Sequence, residues 1–171
     1  KALSVLCALL LLALPLGRLT CREGDVDPAG TDGEAAVFAP GLLRREFLAE
    51  SDLPERLTLH LLLHLMLGHP WGRQGRARAL WDTACDLAVG LVRHALLPQE
   101  PETPAAFSAR CKLQARRAVR APAIYALLLE QPDALTAEEQ AAFHLDDHRL
   151  WQLSASASEP KTAVGGAETG W

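Results

Sequence analysis

"RALWDTACDLAVGLVRHALL", residues 78–97, is the stretch whose reading decides the fold. At 100° per residue, Leu80, Trp81, Ala84, Leu87, Ala88, Leu91, Val92 and Ala95 gather on one side, while Arg78, Asp82, Asp86 and Arg93 share the other. The pattern predicts an amphipathic helix over 76–97 with a defined core face and a solvated polar face. Cys85 stands at the margin of the apolar stripe.

The rest of the chain reads in the same key. Leu and Ala dominate, aromatic residues make up only 5%, and β-branched residues are few, a bias that favours helices over strands. Further helices are predicted at 42–50, 53–67, 104–120, 123–130 and 137–153. Gly68, Pro70 and Gly72 stop the second of these, and Thr103 with Pro104 opens the fourth. Ala121-Pro122 interrupts the helical run, because proline removes a donor and biases its predecessor away from helical angles. Thr136 with Glu139 has the spacing of a capping box for the last helix. The expected fold is all-α, a small antiparallel bundle of about five to six helices occupying residues 42–153.

The ends lack such periodicity. Residues 1–21, "KALSVLCALLLLALPLGRLTC", place a Lys before an unbroken apolar run from Ala2 to Leu16, the anatomy of a secretory signal peptide; the expected location is secreted or periplasmic. Residues 22–41 mix acidic residues with Gly and Pro and read as a linker. Residues 154–171 read as a disordered tail. Export permits disulfides, and Cys85 with Cys111, on neighbouring predicted helices, is the expected bridge. Cys21 is then left over.

Net charge of −4 argues against a protein that coats nucleic acid. No nucleophile elbow, Walker loop or dinucleotide fingerprint occurs, so the sequence makes no positive case for an enzyme. Two features remain. On the predicted helix 104–120, Lys112, Arg116 and Arg120 share a face, with Arg117 beside them, a basic stripe suited to an acidic protein partner or an anionic membrane surface. The leading expectation is therefore an exported, non-enzymatic helical module that binds another protein, as inhibitor, adaptor or assembly factor, and requires no cofactor.

The alternative lies in the histidines. "HLLLHLMLGH", residues 60–69, puts His60 and His64 on one face of a helix, and "FHLDDHRLW", residues 143–151, repeats the spacing with His144 and His148 and adds Asp146 and Asp147 as oxygen donors. Two facing helices that each offer His-x-x-x-His can clamp one zinc or copper ion. The Glu of a catalytic H-E-x-x-H is missing, since Leu61 stands in its place.

Overall fold

A computed structural model describes residues 20–97, 103–113 and 120–151. Among them the chain is not all-α: six α-helices accompany a three-stranded mixed sheet. The strands are β1 (Thr20–Glu23), β2 (Ala29–Thr31) and β3 (Ala35–Phe38), in the order β1-β3-β2. β3 pairs in parallel with β1 and antiparallel with β2, with Gly30 opposite Val37. The stretch expected to be an acidic linker is thus a sheet.

Local chemistry explains the hairpin. Between β2 and β3, Asp32 Oδ1 accepts from the amides of Glu34 and Ala35 at 3.0 and 2.8 Å, and Thr31 Oγ1 accepts from the amide of Gly33 while donating to the Ala35 carbonyl. Gly33 takes a φ of +97°, which glycine adopts without steric cost. The sheet is buried on both faces around β3: Ala35 and Val37 pack with Val26, whereas Ala36 and Phe38 pack with Ala29, Leu42, Leu57 and Leu61. A strand covered on both sides is a plain apolar run rather than an alternation, so it carries no amphipathic signal.

The helices are α1 (Leu42–Leu48), α2 (Leu53–Met66), α3 (Arg78–Leu96), α4 (Thr103–Arg110), α5 (Ala121–Glu130) and α6 (Ala137–Phe143). The single helix expected over 104–120 ends at Arg110; Lys112 has a φ of +53° and Arg120 is the N-cap of α5. Lys112 and Arg120 therefore do not share a helix face. Arg116 and Arg117 lie outside the described residues, as does the leader segment up to residue 19. The capping box of Thr136 and Glu139 is present at the start of α6. That helix stops at Phe143 instead of running to 153, because the following segment turns to pair with the sheet. The Asp147 amide donates to the Ala29 carbonyl at 2.7 Å, Gly30 bridges Asp147 in parallel, and Asp147 Oδ1 caps a short 3-10 turn, His148–Leu150, through the Arg149 amide.

The main core forms on the apolar face of α3. Trp81, Ala84, Leu87, Ala88 and Leu91 meet Phe107, Ile124, Leu127, Phe143 and Trp151. A Cβ at Gly90 would run into the Phe143 ring, so the glycine is what lets α6 close on α3. Cys85 and Cys111 are both buried in this core as thiols, and no disulfide joins them. The bridge expected between them is absent. They act as small hydrophobic side chains, and burial pushes the Cys85 thiol far above its usual range.

Candidate metal centre

α2 is apolar on most of its circumference, and Leu57, Leu59, Leu61, Leu62 and Leu63 are all buried. Its narrow histidine stripe does not face water either: His60 and His64 are each 0% exposed. The stripe lies against the polar side of α3, where Asp86 is only 3% exposed. Two polar stripes face one another and shield each other from solvent, which leaves Asp86 Oδ1 buried without a hydrogen-bond partner. At the end of α2 the chain turns through Gly68, with a φ of +71°, and Pro70, and this reversal brings His69 back beside His64.

A third segment completes the cluster. The pairing of Asp147 with β2 sets the adjacent Asp146 and His148 against α2 and α3. Asp146 Oδ1 lies 2.9 Å from both His60 Nε2 and His148 Nε2, and His60 Nε2 lies 3.0 Å from His64 Nε2. Asp86 Oδ1 is 3.1 Å from His148 Nε2, 3.5 Å from His64 Nε2 and 3.8 Å from His60 Nε2. The ligating atoms of His60, His64, Asp86 and Asp146 all fall within 4.8 Å of one another.

These five donors fit a metal ion on three grounds. Bonds of about 2.0–2.1 Å give neighbouring-donor separations of about 3.3 Å in a tetrahedron and about 2.9 Å in an octahedron, and the separations here run from 2.9 to 3.8 Å around those values. Asp86 Oδ1 and Asp146 Oδ2 are buried without a hydrogen-bond partner, although imidazole nitrogens crowd Asp86 Oδ1. Two buried carboxylates also carry the charge that one divalent cation neutralises.

The surroundings orient the donors. His144 Nδ1 bonds Asp86 Oδ2 at 3.0 Å, leaving Oδ1 to face the cluster. His64 Nδ1 is held by His69 Nδ1 at 3.0 Å, which turns His64 Nε2 inward. His148 stacks on Trp151 with ring centroids 3.8 Å apart. Contacts to the remote nitrogen of a ligating imidazole fix its tautomer and direction.

Titration follows the same layout. Burial, the largest influence on each histidine of the cluster, lowers its pKa, but Asp146 and Asp86 together outweigh it at His60 and at His148, so both imidazoles are raised. Burial prevails at His64, and at His69, which is brought down to about 3. Burial alone would raise the two carboxylates, but His148 beside Asp86, and His64 and His60 beside Asp146, keep both well below the usual range. The two lowered carboxylates thus face two raised imidazoles in one pocket.

The comparison with known proteins agrees with this chemistry. A family model described as "Putative metallopeptidase domain" matches residues 4–165, and the chain belongs to that family. No curated protein and no solved structure matches it. The match takes in most of the stretch expected to be a signal peptide and most of the expected tail, and it lends secretion no support. The expectation of no cofactor is overturned: the family and the buried cluster both point to a metal. They favour the metal-binding alternative over the protein-binding module, for which neither offers support.

Of the four histidines singled out from sequence, the structure brings His60, His64 and His148 together and leaves His144 one step out, on Asp86. Asp146, named as an oxygen donor, is in the cluster, whereas its neighbour Asp147 is at the sheet. Sequence reasoning missed Asp86, assigned to a solvated face. The available signal was the pairing of two unusually apolar helices that each carry one thin polar stripe.

Proposed function

We propose that this chain is a metal-binding domain in which His60, His64, His148, Asp86 and Asp146 hold one divalent transition-metal ion, zinc foremost. The observation that carries the reading is the convergence of three Nε2 and two carboxylate oxygens from three separate segments in a pocket closed to water. Imidazole and carboxylate donors suit zinc, while Cu(I) favours sulfur, and both buried thiols belong to the hydrophobic core. The ion would tie α2, α3 and the 146–148 turn together.

Elemental analysis of the full chain purified without an affinity tag tests this directly. About one zinc per chain is expected, retained by a His94→Ala control and absent from a His60→Ala variant. A wild-type protein that is metal-free and shows no thermal shift on added zinc overturns the reading.

A further inference from the structure

Resting on that reading, we infer that the centre is closed and structural, with no position for a peptide substrate and no glutamate where an H-E-x-x-H site carries its base. In H-E-x-x-H sites the Glu beside the first histidine is the general base. Here the corresponding residue is Leu61, 1% exposed and packed with Ala29, Ala36, Phe38, Leu42 and Leu57 against the sheet. Position 61 is committed to the hydrophobic core.

The donor count points the same way. Catalytic zinc sites keep three protein ligands and one open position, whereas structural sites fill their shell with protein donors. Four protein donors, from His60, His64, Asp86 and Asp146, are enough to fill a tetrahedral shell, and His148 Nε2 lies within 3.1 Å of both carboxylates. His60, His64 and Asp146 are without solvent exposure, and His148 is covered by Trp151. A cleft with a volume near 390 Å³ reaches the cluster, and Asp82, Asp86, Gln140 and His144 help to line it. It meets the cluster at Asp86, whose Oδ2 is occupied by His144. A molecule in the cleft meets this pair before it meets any imidazole of the cluster.

The full chain loaded with Co(II) reports on the shell by its visible absorption, independently of activity. A stoichiometric Co(II) spectrum that excess azide leaves unchanged is expected, together with a melting temperature roughly 10 °C above that of the metal-free chain at saturating ion. Casein should remain uncleaved by the zinc-loaded protein. A Co(II) spectrum that azide perturbs would show an open position and overturn closure while leaving metal binding intact. Failure to bind Co(II) or zinc removes both proposals. Leu61→Glu adds a second test: it should lower the melting temperature without producing hydrolysis. A folded Leu61→Glu protein that cleaves casein overturns the inference.

Discussion

His60/His64 and His144/His148 share a four-residue spacing and arise in opposite ways. The first pair sits on α2, where one helical turn stacks the two imidazoles, with ring centroids 4.6 Å apart. The second pair straddles the end of α6 and a 3-10 turn; its rings stay in edge-to-face contact, with centroids 5.8 Å apart, but His148 enters the cluster, while His144 is 59% exposed at its side chain and bonds Asp86. Helix geometry positions one pair. Pairing with β2 positions the other. Identical spacing therefore reports two different physical causes, and it does not say which member of a pair will enter the cluster.

The largest test of this contrast is removal of His148. His148→Ala is expected to abolish stoichiometric zinc, as His60→Ala does, with a loss of roughly 4 kcal/mol of metal-linked stability at saturating ion, read from melting curves with and without a chelator. Equal zinc content in His148→Ala and wild type would show that His148 is not a ligand.

Next comes the anchor of that turn. A Cβ on Gly30 would stand 2.5 Å from the Asp147 carbonyl oxygen. Gly30→Val should cost about 1–3 kcal/mol in urea unfolding and weaken zinc binding, although residue 30 touches no ligand directly. The α2 pair should be indifferent to it, so residual weak zinc binding through His60 and His64 is the expected signature.

A smaller effect is expected at His144. His144→Ala removes the bond to Asp86 Oδ2 and should weaken zinc affinity by about 10–100-fold in a competition titration while leaving full occupancy at excess zinc. Loss of stoichiometry would make His144 a ligand and erase the asymmetry between the two members of its pair.

The smallest effect belongs to the helix that delivers that segment. Thr136 Oγ1 accepts from the Glu139 amide, and Arg110 clamps the Glu139 carboxylate at 2.7 Å. Thr136→Ala should cost about 1 kcal/mol of stability by chemical denaturation with no change in zinc stoichiometry. A change in stoichiometry would mean that the capping box, and not β2, sets the turn.

Legibility in the sequence followed how local each feature is. The starts of α1, α2, α3 and α5 fall within two residues of their predicted positions, because apolar period, proline and glycine are short-range signals. The hairpin escaped notice even though Asp32-Gly33 is a turn signal and Ala35–Phe38 lies in a short apolar run between Glu34 and the Pro40-Gly41 break. Read without its neighbours, that run has no second strand to pair with. The predicted helix over 137–153 failed for the opposite reason: its continuation was locally plausible, and the edge of β2 offered the backbone a better partner.

What the sequence by itself determined is the amphipathic core of α3, the thin histidine stripe of α2, the cap of α6 and the absence of the H-E-x-x-H glutamate. Each depends on residues within a turn or two of one another. What the tertiary structure alone decided is that the stripe of α2 meets the polar face of α3, that Asp86 is buried there and not solvated, and that β2 brings Asp146 and His148 to the same point. Those facts join positions far apart in the chain, such as His60 with Asp146 and Gly30 with Asp147, and a period along one element carries no record of which other element will cover it.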